Sequence, residues 1–450
     1  MSGILICPEA GRHYETGYQE RERDYVLIEK LREFIEKHAM NNRVAVSDET
    51  NMVAEEVARI LEGELVSVHS GAECLTWIIP KRWKVRDAYI ETVDGKRVVD
   101  FQSNPLHLYA YSIPFKGVMG RKELQHHLYY DRHNPDNIPH HYKYQYTYGE
   151  EGWGFCLSYN AYKEMREEKY KVVVDSVLDD GVMKVADCYL KGEMKDTILI
   201  AAHNCHPAQV NDGLSSVAVA LELFKYLKRQ ELKYSYRLVI GPEFYAAAAF
   251  LSKAEGIQNI KYGIFLDMLG NNEHMGISYS FQHDTFIDKV VKDAMRSYDK
   301  DFVGVPYRES AANDEFFYDG PDFYIPMVCI GRDDYPEYHL DSDDIAHCDF
   351  AKLGEFVELM KSVVRIIETD CIPVRKYRGP LFLSRYNIPK NTKADKAAAI
   401  AVDKIQILMD GKNSCLEISE RLDLHYSFVF GFVQKLLDKK LAITKQKGNL

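Results

Sequence analysis

The apolar residues of this chain change their spacing along its length, and this change divides the sequence into regions. Near the start they recur every three to four positions, which predicts helices over residues 25–38 and from residue 48 onward. From residue 77 to 114 the pattern becomes a series of short β-rich runs, and Asp94-Gly95 between two of them predicts a hairpin. We therefore predict an inserted β-rich domain over residues 72–135.

From residue 169 onward, short apolar runs alternate with longer segments of helical period. The runs 197–202, 236–240 and 262–266 are mostly apolar, which is typical of central strands buried on both faces. The alternation predicts an α/β domain made of residues 1–71 and 136–372, a three-layer sandwich around a mostly parallel central sheet. The helices predicted here are 212–229, 243–254, 284–298 and 350–369, and the further strands are 172–175, 181–190 and 324–330.

The pattern of apolar residues changes again near the end of the chain. Residues 373–394 contain several prolines and no regular period, which predicts a linker. Three helical patterns then precede a short β-rich run that begins at Leu441. This order of elements is typical of a winged helix, and we predict such a domain over residues 395–450.

Composition narrows the classes of function. The net charge of −11 disfavours non-specific binding to nucleic acid or to an anionic membrane. No run of about 18 apolar residues occurs, so no membrane span is expected. The N-terminal residues lack the features of a signal peptide. Nine cysteines without a CxxC pair indicate reduced thiols, so we predict a cytoplasmic protein.

Residues that bind metals recur where the predicted strands end. Ligands of parallel α/β sheets bind beyond the C-terminal ends of the strands. Zinc prefers imidazole nitrogen and carboxylate oxygen, and a nearby carboxylate can accept a proton from water. The histidines and carboxylates at these ends, and in the loop after the last strand, are His203, His206, Asp212, Glu243, Asp267 and His339. We predict that His206 or His203 binds the metal with Asp212, Asp267 and His339, and that Glu243 is a base or a further ligand.

Each of these residues has a structural explanation when it is considered alone. Asp212 could cap the N-terminus of a helix, and Glu243 could lie in the first turn of one. Asp267 suits a turn. Helix caps and turns do not explain why every strand end carries the same type of ligand, so we favour a metal site for the set.

Several short motifs, taken in order, resemble a known group of proteins. They are Pro80–Trp83, Arg86–Ile90, Leu106–Pro114, Trp153–Ser158, Cys205–Pro207 with Asn211-Asp212, Gly241–Glu243, Asn313–Glu315 and Glu337–His339. The chain resembles the zinc aminopeptidase and glutamate carboxypeptidase superfamily. More closely, it resembles bacterial aminopeptidase-like proteins with an inserted β-rich domain and a C-terminal winged helix. The resemblance implies an aminopeptidase-like fold and zinc at a site that includes Asp212 and His339.

Two differences from the superfamily affect the predicted site. The superfamily places its first ligand in a His-x-Asp motif, whereas this chain has His203-Asn204-Cys205. The closer relatives carry a Cys-His-Pro motif, so His206 is the preferred ligand and His203 the alternate. The superfamily also has two adjacent glutamates, whereas Glu243 stands between Pro242 and Phe244. Glu243 can therefore act either as the base or as a metal ligand, but not as both. The number of zinc ions stays open between one and two.

Other polar residues have weaker signals. Asp314 and Glu315 are predicted to line the substrate cleft, as the resemblance implies, and Arg332 could hold a substrate carboxylate there. The adjacent histidine pairs 126–127 and 140–141 invite a metal interpretation. Because adjacent side chains on a helix or strand point apart, we predict that these pairs lie on the solvated surface.

The function that fits these features best is zinc-dependent hydrolysis of a peptide or small amide, of the aminopeptidase type, with Glu243 as the base. One alternative is a zinc-dependent deacylase or modifying enzyme in polysaccharide biosynthesis. Another is a catalytically silent regulator that acts through its winged helix. Residues 391–450 carry ten Lys/Arg and seven Asp/Glu, and the predicted recognition helix, which is the third helix and begins near His425, starts without basic residues. We therefore predict contact with protein, or formation of a homo-oligomer, rather than DNA reading.

Overall fold

The computed structural model describes residues 16–310, 313–388 and 396–445, with side-chain positions from residue 25 onward. The N-terminal residues that lack signal-peptide features, Cys7, and the junction of the predicted linker with the predicted winged helix lie outside these residues. The chain divides into two units. The larger contains Val26–Phe281 and Val303–Val357, and the smaller contains Met1–Tyr25, Gln282–Phe302 and Glu358–Leu450.

The described residues form twelve α-helices and eighteen strands, together with several short 3-10 turns. The helices are α1 (Thr16–His38), α2 (Asp48–Leu61), α3 (Arg121–Leu124), α4 (Tyr159–Glu164), α5 (Ser216–Leu227), α6 (Tyr245–Lys253), α7 (Phe286–Met295), α8 (Glu315–Tyr318), α9 (Phe350–Thr369), α10 (Lys396–Leu408), α11 (Cys415–Leu422) and α12 (Tyr426–Asp438). No helix in the described part of the chain has both the length and the apolar character to cross a membrane.

The strands are short, and most of them belong to the larger unit. They are β1 (Glu64–His69), β2 (Glu73–Cys74), β3 (Trp77–Ile78), β4 (Arg82–Thr92), β5 (Arg97–Asp100), β6 (Phe115–Gly120), β7 (Leu128–Tyr129), β8 (Phe155–Cys156), β9 (Lys169–Asp179), β10 (Val182–Leu190), β11 (Thr197–His203), β12 (Ser235–Gly241), β13 (Ile260–Leu266), β14 (Gly276–Ser278), β15 (Val303–Val305), β16 (Met327–Gly331), β17 (Ile372–Arg375) and β18 (Ala442–Lys445).

An eight-stranded sheet forms the centre of the larger unit, in the order β1-β10-β12-β11-β13-β16-β14-β15. Its four middle strands, β12, β11, β13 and β16, run parallel to one another. Antiparallel pairing adds β10 on one side and β14 on the other. The prediction of an α/β fold with a large central sheet is therefore confirmed.

Helices cover both faces of this sheet. Leu199 and Ala201 of β11 share a hydrophobic core with the alanine-rich helix α6. Successive strand residues point to opposite faces, so Ile198 and Ile200 point to the other side, where α5 packs along β11. All four residues are buried, and each fully buried branched side chain contributes about 1.5–3 kcal/mol relative to exposure. This burial explains why the middle strands are apolar along their whole length.

The helix predicted to begin at Asp212 begins instead at Ser216. The backbone before it is kinked, because Asp212 has a ψ of 93° and Gly213 a φ of +100°. A side chain at position 213 would be strained at this φ, and its Cβ would lie about 3.1 Å from the carbonyl oxygen of His203. Asp212 therefore stands outside the helix, and its carboxylate is free to face the strand ends.

A second sheet of four strands, in the order β5-β4-β9-β6, contains most of the predicted β-rich region. Its strand β9 lies beyond the range 72–135. The buried Trp83 of β4 donates its indole N–H to the carbonyl oxygen of Ser112, at 3.0 Å. Trp83 belongs to the same hydrophobic cluster as Leu199 of the central sheet. The two sheets thus share one core, while the predicted domain boundaries stay a prediction.

The smaller unit combines α10, α11 and α12 with a two-stranded antiparallel sheet of β17 and β18. The strand β17 lies at the start of the predicted linker. The N-terminus of α12 is capped from another part of the chain, since the backbone N–H of Tyr426 donates to both carboxylate oxygens of Asp293 at 3.1 Å. The identification of these elements as a winged helix stays a prediction.

One buried arginine fixes the irregular loop that follows β11. Arg43 is fully buried, and its guanidinium donates to the carbonyl oxygens of Asn204 (3.1 Å), His206 (2.6 Å) and Gln209 (2.6 Å). It also donates to the carbonyl oxygen of His38, at the end of α1. This loop forms no helix or strand, so these bonds replace the backbone ladder that would otherwise satisfy its carbonyl groups.

We predict that Arg43→Met lowers the free energy of unfolding by about 3 kcal/mol or more, because several buried carbonyl groups lose their donor. Urea unfolding followed by circular dichroism measures this change. The matched control is Arg59→Met, because the side chain of Arg59 is exposed and its guanidinium lies 3.9 Å from the carboxylate of Glu56. Equal stabilities of the two variants would contradict the assigned role of Arg43.

Candidate metal centre

The candidate site lies at the C-terminal edge of the parallel strands. β11 ends at His203, β12 is followed by Glu243, β13 is followed by Asp267, and His339 lies in the loop after β16. β11 pairs with β12 on one side and β13 on the other, so the connections after β11 and β12 run in opposite directions. Such a switch point opens a crevice at the strand ends, which is where α/β folds bind their ligands.

The carboxylate of Asp212 is the meeting point of three histidines. Its Oδ1 lies 3.2 Å from Nε2 of His203 and 3.7 Å from Nδ1 of His206. Its Oδ2 lies 2.9 Å from Nε2 of His339, yet it forms no well-aligned hydrogen bond. These side chains come from four points of the chain that span more than a hundred residues. The structure thus brings together the predicted residues, including both candidates for the first histidine.

Asp267 completes a second group around His203. Its Oδ1 lies 3.2 Å from Nε2 of His203, the same nitrogen that faces Asp212. Its Oδ2 accepts a hydrogen bond of 2.7 Å from the side-chain amide of Asn313. One imidazole nitrogen therefore stands between two carboxylates, and one partner of that pair is oriented by an amide.

Asp343 holds the backbone of the Asp212 turn. Its carboxylate accepts the backbone N–H of Asn211 at 2.7 Å and that of Asp212 at 3.0 Å. The hydroxyl of Tyr335 donates to it as well, at 2.9 Å. Burial raises the pKa of Asp343 to about 7. Sequence reasoning did not single out this residue, because its partners are backbone groups that lie far away along the chain.

Glu243 faces the histidines from the end of β12. Its Oε2 accepts the hydroxyl of Tyr146 at 3.0 Å and lies 4.0 Å from Nε2 of His206. Its backbone N–H donates to the sulfur of Cys205, at 3.2 Å. Burial raises the pKa of Glu243 to about 8, and the neighbouring carboxylate of Asp212 acts in the same direction.

The buried histidines have opposite protonation preferences. Burial lowers the pKa of His206 to about 3, although Asp212 opposes this change. For His203, burial also disfavours the charged form, but Asp267 and Asp212 outweigh burial and raise its pKa well above its usual value. The three histidines in turn outweigh burial at Asp212 and hold its pKa well below its usual range. The centre therefore combines neutral and charged imidazole with ionised carboxylate.

This donor set fits a divalent metal such as zinc. Nδ1 of His203 and Nδ1 of His206 lie 3.2 Å apart, a distance at which one of them must carry a proton if no cation stands nearby. Three compact groups of the described residues have their ligand atoms within 4.8 Å of one another: His203 with Asp212 and Asp267, His140 with His206 and His339, and His203 with Cys205 and His206. Imidazole and carboxylate are the ligands of catalytic zinc.

A cavity of about 300 Å³ opens onto these groups. Aromatic side chains form much of its wall. Beyond the predicted ligands and Glu243, the lining residues are Tyr142, Tyr146, Phe244, Asn313 and Tyr338. The tyrosines could not be predicted as lining residues, because they lie in an irregular, tyrosine-rich segment or beside a predicted ligand.

Asp314 and Glu315, which were predicted to line the substrate cleft, have different hydrogen-bond partners. Asp314 accepts the backbone N–H of Phe244 at 2.6 Å, and burial raises its pKa to about 7. Glu315 accepts the backbone N–H of Asn313 at 2.8 Å and lies 3.6 Å from Arg308. Neither residue is among those that line the cavity. Asp314 therefore supports the loop that carries Glu243.

Arg332 is not part of the cavity wall either. Its guanidinium donates to the carbonyl oxygen of Glu273 and lies 3.8 Å from the carboxylate of Glu355. It also stacks over the ring of Phe356, at 5.3 Å. These contacts make Arg332 a structural residue, and nothing in its surroundings presents it to a substrate in the cavity.

The surface prediction is wrong for His140. This residue is only 8% exposed, and its ring lies 5.2 Å from that of His206 and 5.1 Å from that of His339. The neighbouring His141 points elsewhere and packs against Tyr109. Adjacent side chains do point apart, as the prediction assumed, but one of the two directions leads into the site. His126 is exposed, as predicted.

Several residues around the site have strained backbone. Ala208, Phe244, Met268 and His339 have φ values of +51°, +62°, +51° and +56°. Non-glycine residues rarely adopt this left-handed conformation, and it persists where surrounding contacts impose it, often at functional sites. His339 is itself a predicted ligand, and the other three lie within two residues of His206, Glu243 or Asp267, which indicates that contacts at the site, rather than local propensity, determine these conformations.

Comparison with known proteins identifies close relatives of this chain. A protein of Clostridium acetobutylicum, provisionally named as a polysaccharide biosynthesis protein with an aminopeptidase-like domain, is 29% identical over 375 residues, which cover 81% of this chain and 84% of that protein. A crystal structure of a provisional peptidase from C. acetobutylicum matches with a TM-score of 0.86 and 25% identity, covering 96% of this chain and 100% of that one.

More distant structures share the fold. A zinc aminopeptidase from Bacillus subtilis matches with a TM-score of 0.56 and 11% identity, covering 76% of this chain and 95% of that one. A peptidase M28 precursor from Shewanella amazonensis matches with a TM-score of 0.53 and 13% identity, covering 82% and 99%. The resemblance to zinc aminopeptidases is thus confirmed for the fold. A family model described as "Domain of unknown function (DUF4910)" matches residues 33–370, which is well over half of the sequence, and the chain belongs to this family.

Proposed function

We propose that this protein is a zinc-dependent hydrolase of the aminopeptidase type that cleaves a small amide. The observation that carries the proposal is the convergence of His203, His206 and His339 on Asp212, with Glu243 facing them across the cavity. The fold shared with zinc aminopeptidases supports it. So does the provisional assignment of a relative with a TM-score of 0.86 as a peptidase.

The ligands in this proposal are His203, His206, Asp212, Asp267 and His339. When bound, zinc would polarise the carbonyl group of the amide and lower the pKa of water. The buried positions of these side chains exclude most solvent from the reacting centre. Asn313 and Asp343 orient the two aspartates through the side-chain amide and backbone contacts described above.

Glu243 serves as the base that takes a proton from the attacking water. Burial raises the pKa of Glu243 to about 8 in the metal-free chain, and a bound divalent cation would favour the ionised carboxylate that a base requires. The hydroxyl of Tyr146 holds one of its oxygens in place. The same carboxyl would then return the proton to the departing amine.

The cavity limits the substrate to a small or terminal group. Its volume of about 300 Å³ is near the lower end for ligand pockets, which range over roughly 300–1,000 Å³. Tyr142, Tyr146, Phe244 and Tyr338 offer aromatic faces to an apolar or planar group. Removal of one residue from a peptide N-terminus fits this space, and the acidic group that would bind the free amine stays unassigned.

A second candidate reaction is the removal of an acyl group from an amino sugar. The name of the C. acetobutylicum relative, which refers to polysaccharide biosynthesis, favours it. Aromatic side chains also stack well against the apolar faces of sugars. The zinc ligands and the role of Glu243 would be the same, so a panel of aminoacyl and N-acyl sugar substrates separates the two candidates.

We further propose that α10, α11, α12, β17 and β18 form a winged helix that contacts protein. Val429 and Val433 of α12 are buried. Phe430 stacks on Tyr426 with ring centroids 5.5 Å apart. The first half of α12 presents no basic side chain for base edges.

We predict that Glu243→Gln lowers kcat for the hydrolysed substrate by about 10²–10⁴-fold, because the amide cannot accept a proton. The metal content, measured by plasma mass spectrometry, should not change. Glu255→Gln is the matched control, since Glu255 is exposed and lies after α6. Activity of the Glu243 variant within a factor of ten of the control would contradict the role of Glu243 as base.

We also predict that the metal-free protein loses stability as the pH rises from about 4 to about 8, between the unfolded-state and the folded-state pKa values of three buried carboxyls. The pKa is raised to about 8 for Glu243, from 4.5, and to about 7 for Asp314 and Asp343, from 3.8. These carboxyls hold their protons more tightly in the folded than in the unfolded chain. Their stabilising effect is therefore present at low pH and is lost as the pH rises through the folded-state pKa values.

Saturating zinc is expected to remove most of this dependence, because a nearby cation favours the ionised carboxylates. Thermal unfolding in chelator and in zinc, at several pH values, measures both effects. Zinc should raise the melting temperature more at the alkaline end than at pH 6. Parallel curves with and without zinc would contradict the proposal that these carboxylates surround a cation.

A further inference from the structure

His140 is a buried histidine for which the proposed reaction gives no role. It is 8% exposed, and neither of its ring nitrogens has a hydrogen-bond partner within the described ranges of the chain. Buried polar atoms nearly always have a partner, because leaving one unpaired costs about 1–3 kcal/mol. Two unpaired nitrogens on one buried ring therefore indicate a partner that is neither a backbone nor a side-chain group of these residues.

The backbone fixes where this ring can be. The backbone N–H of His140 donates to the carbonyl oxygen of His339 at 2.7 Å, and Pro139 pairs with Leu340 in an isolated bridge. The carboxylate of Asp341 accepts the backbone N–H of Ile138, at 2.9 Å. The backbone of the segment with His140 is thus held against the backbone of the segment with His339, which keeps the two side chains near each other.

The imidazole of His140 and the two imidazoles nearest to it are arranged as three ligands of one metal ion could be. His140, His206 and His339 each offer a ligand atom, and these atoms lie within 4.8 Å of one another. The ring plane of His140 stands at 77° to that of His206 and at 76° to that of His339. Zinc binds imidazole nitrogen at about 2.0–2.1 Å, so the nitrogens would need to approach by roughly 1 Å, which side-chain rotation can supply.

A hydrogen-bonded network explains this arrangement less well. A proton can join two imidazoles, but the third would stay unpaired in a buried place. Packing alone would explain the ring contacts, yet an apolar side chain would pack there without two unsatisfied nitrogens. A cation gives one nitrogen of each of the three rings a partner at once, and three histidines with one further ligand form a common zinc site.

We propose that His140 completes a second cation site with His206 and His339, beside the site of His203, Asp212 and Asp267. The two sites share the carboxylate of Asp212, whose Oδ1 faces His203 and His206 and whose Oδ2 faces His339. This inference rests on the proposed function, because it requires that the centre binds metal. It assigns a zinc ligand to the irregular segment between β7 and β8, in addition to those at the strand ends.

The experiment compares metal binding by the full chain and by its His140→Phe variant, which keeps an aromatic ring but no ligand atom. The matched control is His141→Phe, since His141 is the next residue and packs against Tyr109. Each protein is equilibrated with chelator-buffered zinc, and bound metal is counted by plasma mass spectrometry. Cobalt(II) absorption in the visible range reports the ligand set independently. His140→Gln, which keeps a polar side chain, replaces the Phe variant if the latter does not fold.

We expect two zinc ions per chain in the unmodified protein and in the His141 variant, and one in the His140 variant. Loss of a direct ligand should weaken the second ion by at least about 100-fold, because outer-shell partners alone account for 10–100-fold. The cobalt spectrum should also change only in the His140 variant. Equal metal counts and spectra in all proteins would overturn the role of His140 and leave the proposed function standing. No metal in the unmodified protein would overturn both.

Discussion

The structure depends on the burial of several carboxylates beside a group of histidines at one edge of the sheet. Asp212, Asp267 and Asp314 are each 3% exposed, and Glu243 lies close to them. Like charges at such distances repel strongly where water is scarce, so the ionised forms need positive charge nearby. Charged imidazole supplies part of it. A bound divalent cation would supply the rest and would also give a partner to Oδ2 of Asp212, which lacks a well-aligned hydrogen bond among the described residues.

The surrounding fold holds this arrangement in place. Arg43 satisfies the carbonyl groups of the loop after β11, and Asp343 satisfies the N–H groups at the Asp212 turn. Gly213 permits the kink that frees Asp212 from the following helix. Each of these residues acts on backbone that belongs to no regular element. The histidines are therefore positioned before any metal binds, which lowers the cost of assembling the site.

Much of the fold could be predicted because its main signals are local. The strands β11, β12 and β13 are apolar runs, and α9 matches its predicted range of 350–369 to the residue. The parallel order of the strands then places His203, Glu243 and Asp267 at one edge without further information. Strand β16 begins at Met327, three residues later than predicted, because its pairing with β13 begins there.

The remaining features could not be predicted because they depend on contacts between distant segments. Local preference suggested a helix cap at Asp212, whereas the histidines compete for its carboxylate. His140 was predicted to lie on the surface, but its segment pairs with the loop of His339, which buries its side chain. Arg43 and Asp343 bond to backbone groups, which leave no pattern in a sequence. The metal-binding residues at the strand ends could therefore be predicted from the sequence, but the residues that hold them in position could not.

Anomalous diffraction across the zinc absorption edge, from crystals grown with zinc, tests the central claim most directly. The account predicts a peak within about 2.2 Å of a carboxylate oxygen of Asp212, with imidazole nitrogens as further neighbours. A crystal that holds zinc elsewhere, with no peak beside Asp212, would contradict it.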